Sequence, residues 1–179
     1  MSYSVRRLTR DDVPAYRAIR LEALTNHPEA FASTAEQFLL RSVEDLESLL
    51  EKLSFFGAVT PDGSLVGIMA FDQGAGREAH RGWLLQVYVK PDMRGSGCSR
   101  ALLEAVVTHA KSTVKQLHLA VATHNEPALR LYQKAGFTIY GTDPRFQFVN
   151  GRYVDEHMMV RFLDREPAQQ QGTTESDKK

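Results

Sequence analysis

Small and charged residues that suit an anion follow one apolar segment of the chain. The segment 84–89 stops before Pro91, and Arg94, Gly95 and Gly97 lead directly into an amphipathic stretch. Glycines at a strand-to-helix junction let the backbone approach a ligand, and the first amides of a helix have no partner inside it. Those amides, the helix dipole and the Arg94 charge all favour phosphate oxygens. The junction therefore predicts a cradle for a diphosphate.

Two familiar phosphate motifs do not fit this loop. A dinucleotide fingerprint needs three spaced glycines and a later acidic residue, whereas Gly95-Ser96-Gly97 is followed by the helix itself. The nucleotide P-loop needs Gly-Lys-Ser/Thr after a four-residue gap, and the loop has no such sequence. Glycine-rich turns between a strand and a helix also occur without a ligand, so the loop alone leaves a structural role open.

A second candidate segment begins at Asn125. This residue suits a helix N-cap, Pro127 suits the first turn, and Gly136 suits the helix end. Ala128 and Tyr132 share one face of the predicted helix. Asn125 is therefore either a cap alone or also a ligand, and Tyr132 is either a core residue or one that faces a site.

The elements that must position these segments are strands and helices in alternation. Alternating or short apolar runs predict strands at 3–8, 55–59, 65–71, 84–89, 117–122, 137–140, 146–149 and 153–160. Capping signals and apolar stripes predict four helices, which begin near Thr9, Ser42, Cys98 and Asn125. Residues 26–37 and 74–81 are expected to be loops, and Asn150-Gly151 is a strong hairpin signal.

Composition limits the classes of protein that fit the chain. Its 179 residues suit one domain with a sizeable core. The 22 basic and 22 acidic side chains cancel, so we expect neither nucleic acid nor a membrane surface as a partner. The N-terminal residues lack the apolar stretch of a secretion signal, and one cysteine, Cys98, cannot form an internal disulfide. These features predict a cytoplasmic protein.

Together the two candidate segments resemble the GNAT superfamily of acetyl-CoA-dependent N-acetyltransferases. The family's loop pattern Arg/Gln-x-x-Gly-x-Gly/Ala is similar to residues 94–99. Its helix pattern Asn-x-x-Ala-x-x-Leu-Tyr-x-Lys-x-Gly-Phe is met at Asn125, Ala128, Leu131, Tyr132, Lys134, Gly136 and Phe137. The paired match is specific for the superfamily and weak for the substrate.

The resemblance implies the α/β fold of the family. A mixed, mostly antiparallel central sheet of about seven strands is expected, flanked by about four helices, with a splay between strands 4 and 5. The order of predicted elements fits this fold from Tyr3 to about residue 163. We therefore predict an N-acetyltransferase domain at 1–163 and a disordered tail at 164–179, which is poor in apolar residues.

The resemblance also implies acetyl-CoA as co-substrate, with no metal. Asn125 would bond the pantetheine arm, and Tyr132 would be the catalytic residue that reaches the sulfur. A phenol with a pKa near ~10 suits a proton donor to a departing thiolate. The remaining cofactor contacts fall on two runs: the strand residues Val87, Tyr88 and Val89 beside the pantetheine, and the loop residues Arg94, Gly95, Ser96, Gly97, Cys98 and Ser99 around the pyrophosphate.

The chain departs from the family pattern in two places. Ser99 stands where glycine or alanine is usual, and its side chain is small enough to be tolerated. Many members place a glutamate on the fourth strand as general base, whereas this chain has Gln86, which cannot take a proton at neutral pH. An ordered water with backbone carbonyls, or an acid elsewhere, would then take the proton, unless the amine arrives neutral and needs no strong base. The candidate acids are Glu29, Glu78, Asp155 and Glu156.

The expected reaction is transfer of an acetyl group to the primary amine of a small molecule, such as an amine, an amino acid or an antibiotic-like compound. Protein N-termini or lysines are the alternative acceptors. A non-catalytic sensor of acyl-CoA is the alternative from another class, favoured by Gln86 and opposed by Tyr132. The oligomeric state stays open, although the strands that flank Asn150-Gly151 offer an edge through which two copies can form a homodimer.

Overall fold

The structure is a computed structural model that describes residues 2–165. Seven strands form one sheet in the order β1-β2-β3-β4-β5-β7-β6, and every neighbouring pair is antiparallel except β4 and β5. This confirms the expected mixed, mostly antiparallel sheet. The strands are β1 (Ser4–Arg7), β2 (Ser54–Val59), β3 (Leu65–Gln73), β4 (Arg81–Val89), β5 (Gln116–Ala122), β6 (Thr138–Val149) and β7 (Arg152–Phe162).

The parallel strands β4 and β5 separate part-way along their length. They pair at Arg81, Gly82 and Trp83, opposite residues 116–118. Beyond Trp83, within the described chain, the β5-facing edge of β4 has no strand partner, while β4 stays paired with β3 through Val89. A wedge therefore opens between the C-terminal halves of two parallel strands, as predicted.

A β-bulge bends β4 where the wedge opens. Gln86 has a φ of 52°, in the left-handed region that non-glycine residues seldom adopt. The register with β3 shifts at the same place, since Leu85 pairs with Ala70 and Tyr88 with Ile68. The Tyr16 hydroxyl donates a hydrogen bond of 2.8 Å to Oε1 of Gln86. This bond ties the bulge to the helix packed over it, and the bend directs β4 away from β5.

Helices cover both faces of the sheet and divide the core into two clusters. The helices are α1 (Val13–Asn26), α2 (Ala35–Leu39), α3 (Val43–Lys52), α4 (Cys98–Lys111) and α5 (Glu126–Lys134). One cluster joins α4 to the sheet through Leu102, Val106 and Met69, all fully buried. The other joins α1 and α3 to the opposite face through Ile19 and Leu46. Each face is therefore closed by its own apolar layer.

The structure has one α-helix more than the four predicted. Residues 35–39 form α2, whereas the sequence pattern predicts a loop over 26–37. Thr34 and Gln37 form a reciprocal capping box, each backbone amide donating to the other's side chain at 3.2 Å. Phe38 is buried and anchors the turn. A helix of five residues is too short to show the periodicity on which the sequence prediction depends.

The C-terminal hairpin follows the sequence signal and adds one irregularity. Asn150 and Gly151 have φ values of 50° and 76°, as a tight two-residue hairpin turn requires. The predicted strands 137–140 and 146–149 are parts of one strand, β6, whose register shifts between Asp143 and Gln147. The tail predicted from residue 164 lies, from residue 166 on, outside the described residues. Within residues 2–165, no helix combines the length and apolar character needed to cross a bilayer.

The bond that holds the bulge is testable by Tyr16→Phe. The ring keeps its edge contacts with Phe38 and Phe55, whose centroids lie 6.1 and 5.0 Å away. The hydroxyl alone is lost, so we expect the free energy of unfolding in urea to fall by about 0.5–1.5 kcal/mol. Thr142→Val, which removes an exposed hydroxyl beside His157, is the control and should change the stability less. Equal stability of Tyr16→Phe and the parent would contradict a role for the bond.

Candidate active site

The wedge between β4 and β5 widens into a cleft of about 570 Å³. Residues 83–87 of β4 form one wall and residues 119–122 of β5 form the other. The turn Pro28–Ala30 after α1 contacts both β5 and β6, so this segment crosses the wedge. The bulged part of β6 contributes Phe146 to the same cleft. The sheet therefore supplies two polar backbone edges, and the two irregular segments close over them.

Tyr132 lines this cleft and is largely buried. The side chain of Tyr132 is 4% exposed and packs edge-on against Phe137, with centroids 5.9 Å apart. It lies in the first core cluster and also lines the cleft, so its place in the core does not exclude contact with a ligand there. Burial raises the pKa of the phenol, and no hydrogen bond opposes the shift. Tyr132 thus stays protonated and has its hydrogen available for a ligand.

Asn125 combines the roles of helix cap and cleft residue. Its Oδ1 accepts a hydrogen bond of 3.3 Å from the amide of Ala128, which caps α5. The cap uses only the oxygen, because the side-chain amide carries two further donors on Nδ2. Asn125 also lines the cleft. The capping bond fixes the oxygen and leaves the donors available.

The predicted loop residues lie together at the start of α4. Gly95 and Gly97 have φ values of 77° and 85°, and Gly97 is the N-cap. A Cβ on Gly95 would meet nothing within 4 Å, and one on Gly97 would meet only the Tyr3 hydroxyl at 3.7 Å. No side chain caps α4, and none of the described residues accepts a bond from the amides of Cys98 and Ser99. The amides of Arg94 and Ser96 donate to the carbonyls of Pro91 and Met93, whereas the first amides of α4 lie beside open space, an arrangement that suits a pyrophosphate.

The side chains of this loop are held by neighbours. An Arg94 guanidinium nitrogen lies 2.9 Å from Nε2 of His27, and the Ser96 hydroxyl donates to the carbonyl of Met93 at 2.6 Å. Cys98 is 1% exposed and packs against Gly67 and Leu102, and burial raises the pKa of its thiol to about 11. Cys98 is therefore a packing residue whose backbone, rather than its sulfur, faces the loop.

The three predicted strand residues of β4 face different surroundings. Val87 lines the cleft and packs against the first core cluster. The Tyr88 side chain lies in the second cluster, where its hydroxyl donates 2.9 Å to Glu22 and burial raises its pKa to about 12. Val89 is buried in the first cluster. These residues can meet a ligand in the wedge through their backbone edge.

Among the four candidate acids, only Glu156 lines the cleft. Glu29 lies 3.7 Å from His27, and Glu78 lies 3.6 Å from Arg81 at the paired end of β4. Asp155 accepts the amide of Arg145 at 2.7 Å. Successive residues of β7 alternate between faces, so Asp155 and Glu156 cannot both point into the cleft. Glu156 is therefore the one acid of these four that lies where it can contact a ligand in the cleft.

The surroundings of Glu156 raise the pKa of its carboxyl group. The side chain is 6% exposed, and burial raises its pKa above the usual 4.5. Gln147 opposes this by donating 3.1 Å to Oε1, while the nearby Asp143 raises the pKa further. A carboxylate with a raised pKa is a stronger base than a solvated one.

Two of the charged residues that line the cleft have no counterpart in the sequence predictions. Asp143 lies on β6 opposite Glu156, and Arg20 lies on the buried face of α1 beside Tyr16 and Ile19. A charged residue within the apolar stripe of a helix is the signal that marks Arg20. Asp143 carries no such signal, because the irregular β6 register brings it to the cleft.

A second, larger groove of about 950 Å³ lies between α4 and α5, and it shares no residue with the cleft. Its floor contains Leu103, Val107 and Phe137, and its rim carries five cations against one carboxylate, Glu104. It contains none of the candidate acids, nor Tyr132. Tyr132 and the one candidate acid that lines a cavity therefore lie in the smaller cleft and not in this groove.

Proteins of similar sequence include several acetyltransferases. A mycothiol acetyltransferase of Nocardiopsis dassonvillei is 35% identical over 141 residues, which are 74% of this chain and 41% of that protein. An L-amino acid N-acetyltransferase of Escherichia coli is 31% identical over 103 residues, which are 56% of this chain and 63% of that protein. The chain spans less than half the length of the mycothiol acetyltransferases that it matches.

The fold is shared with solved structures, and the sequence matches a family model. The crystal structure of a GNAT-family acetyltransferase from Streptococcus pneumoniae superposes with a TM-score of 0.80 at 22% identity, over 90% of this chain and 99% of that chain. Residues 16–137 match the model of the Acetyltransferase (GNAT) family, and this range includes the wedge, the glycine loop and Tyr132. This chain is therefore a member of the GNAT acetyltransferase family.

Proposed function

We propose that this chain transfers an acetyl group from acetyl-CoA to the primary amine of a small molecule. The observation that carries the proposal is the convergence of a buried phenol, Tyr132, and a buried carboxylate, Glu156, on one cleft beside the open edge of β4. Two titratable groups with opposite tasks in one cleft are what acid–base catalysis of acyl transfer requires. Acetyl-CoA supplies the acetyl group as a thioester that an amine can attack.

The wedge and the glycine loop would hold acetyl-CoA from its two ends. Backbone groups of Val87, Tyr88 and Val89 on the open edge of β4 would pair with the pantetheine as a neighbouring strand does. Nδ2 of Asn125 would donate to the same arm from the other side of the cleft. The pyrophosphate would lie on the loop formed by Arg94, Gly95, Ser96, Gly97, Cys98 and Ser99, where the first amides of α4 point outward.

Glu156 would act as the general base that Gln86 cannot be. Oε1 of Gln86 is already occupied by the Tyr16 hydroxyl, and an amide does not take a proton at neutral pH. Glu156 would remove one proton from the incoming ammonium, so that the nitrogen lone pair can attack the carbonyl carbon. The proton then leaves to solvent when the carboxyl ionises again.

Tyr132 would stabilise the sulfur as its bond to the carbonyl carbon breaks. The electron pair of that bond stays on sulfur, and the hydroxyl donates to the charge that develops there. A thiol has a reference pKa near ~8.5 and a phenol near ~10, so the hydrogen bond matters more than a complete transfer. The nitrogen then loses its second proton and the thiolate gains one, which gives an amide and a free thiol.

Two alternatives compete with this proposal. Protein N-termini and lysines are the alternative acceptors, and a non-catalytic acyl-CoA sensor is the alternative function. A cytoplasmic location goes with the proposed activity, and the single cysteine is a buried thiol. A homodimer through the C-terminal hairpin stays a prediction; of its two strands only β6 lies at the edge of the sheet, since β7 pairs with both β5 and β6.

The proposed activity is measured as free thiol released from acetyl-CoA in the presence of a panel of small amines. Release that depends on the amine supports transfer, while binding of acetyl-CoA without release would support the sensor instead. In Tyr132→Phe the ring keeps its packing and the donor is lost. We expect kcat to fall by about 10²–10⁴-fold, with the melting temperature little changed.

Tyr140→Phe is the matched control, because Tyr140 is half-exposed on β6 and outside the cleft. It should keep the parent rate. If Tyr132→Phe keeps the kcat of the parent, measured where the chemical step limits the rate, then Tyr132 is only a core residue and its hydroxyl takes no part in the reaction.

The base is tested by the pH dependence of Glu156→Gln. In the parent, kcat/KM should fall as the pH drops through the raised pKa of Glu156, because the protonated carboxyl cannot accept a proton. The variant should lose this acidic limb and be slower above it by about 10²-fold or more. The deficit should shrink at high pH, where the amine arrives neutral.

Asp155→Asn, on the neighbouring residue of β7, is the control and should keep the acidic limb. An unchanged pH profile in Glu156→Gln would assign the base to water and backbone carbonyls.

The loop is tested by isothermal titration of acetyl-CoA into Gly97→Glu. The new carboxylate would lie where the pyrophosphate charge is expected, and two like charges about 4 Å apart repel by ~4 kcal/mol near a protein surface. We expect the dissociation constant to rise by about 10³-fold. Gly97→Ala introduces the same backbone strain without charge and should bind far better, whereas equal affinities of parent and Gly97→Glu would exclude this loop as the cradle.

A further inference from the structure

The side chain of Arg20 is a buried cation with no counter-ion among residues 2–165. It is 5% exposed, and its Nη1 has no hydrogen-bond partner in that part of the chain. None of the ion pairs among the described residues includes it. Burial is the main cause that lowers its pKa to about 10; Tyr16 opposes this shift and the nearby Arg41 contributes to it, and the group stays protonated at neutral pH. A buried charge is ordinarily paired with an opposite charge or a hydrogen-bond acceptor. We therefore expect the partner of this guanidinium to be a ligand.

The position of Arg20 shows where that partner would lie. Arg20 lines the same cleft as Glu156 and Tyr132. The ring of Phe31 stacks on one flat face of the guanidinium, 4.4 Å from its carbon. Stacking occupies the face and leaves the N–H groups in the plane for a ligand. A ligand in the cleft can therefore approach the guanidinium, whereas Nη1 itself is shielded from solvent and is reached only when the side chain moves.

We propose that Arg20 binds a carboxylate of the acceptor, so that the acceptor class is an amino acid rather than a simple amine. This deepens the proposed function and depends on it. The planar fork of an arginine matches the two oxygens of a carboxylate. The acidic side of the cleft, with Glu156 and Asp143, suits the ammonium group of the same molecule. A zwitterion complements both sides at once.

The charges of the cleft also favour a monoanion over a phosphate. Glu156 and Asp143 lie close enough that Asp143 raises the pKa of Glu156, so a dianion would be repelled from this side. Phe31, Trp83 and Phe146 line the rest of the cleft and suit an apolar side chain. Leucine, methionine and phenylalanine are therefore suitable probes.

The experiment compares kcat/KM for L-leucine, L-methionine and L-phenylalanine with the values for their carboxamides, which keep the amine and lack the carboxylate. We expect the parent to prefer the acids by about 10²-fold, and Arg20→Gln to lose this preference by weakening the acids alone. Arg17→Gln, on the same helix but outside the cleft, should keep it. Equal losses for acids and carboxamides in Arg20→Gln would assign Arg20 a structural role and overturn the proposal.

A binding measurement keeps the proposal testable without catalysis. N-acetyl-L-phenylalanine should raise the melting temperature of the parent in the presence of CoA, and N-acetyl-L-phenylalaninamide should not. If the parent acetylates carboxamides as well as acids, the carboxylate subsite is refuted while acetyl transfer stands. If it acetylates no amine at all and neither N-acetyl compound binds, both the subsite and the proposed function fail.

Discussion

The incomplete pairing of β4 with β5 is the constraint on which the rest of the molecule depends. Two parallel strands that pair for three residues and then separate leave backbone donors and acceptors exposed inside the sheet. Such groups are costly when buried without partners, so the wedge must be filled by water or by a ligand with backbone-like chemistry. The rest of the site is arranged around this gap: the bulge at Gln86 bends one wall, and α5 sets Tyr132 at the other.

The gap also explains why charged groups can be buried in this region. A continuous sheet would have packed its faces with apolar side chains alone, as the two core clusters do elsewhere. Opening the sheet creates an interior surface on which Arg20 and Glu156 are nearly inaccessible to bulk solvent and still border a cavity. Their pKa values shift toward the neutral forms for that reason, downward for Arg20 and upward for Glu156.

The parts of the fold that are local in the chain were predictable from the sequence. The Asn150-Gly151 turn and the Asn125 cap each depend on a few neighbouring residues, and the structure has both. The α2 helix was missed because its signal, the Thr34–Gln37 box, spans one turn inside an irregular segment. The sequence left the base open between a water with backbone carbonyls, four acids and an amine that arrives neutral. That Glu156 alone of the four acids lines the cleft depends on its register with β6 and on the path of the segment after α1. Arg20 was visible in principle as a charge in an apolar stripe, but only its missing counter-ion in the folded chain distinguishes it from an ordinary surface arginine.

The burial of Cys98 has a practical consequence for oxidants and thiol-directed reagents. The reactive form of cysteine is the thiolate, and a thiol with a pKa of about 11 that is 1% exposed offers almost none of it at neutral pH. The native protein should therefore resist alkylation and sulfenic acid formation, and a colorimetric disulfide exchanger should react slowly with it until it unfolds. Because Cys98 is the single cysteine of the chain, its modification rate is a built-in reporter of global opening.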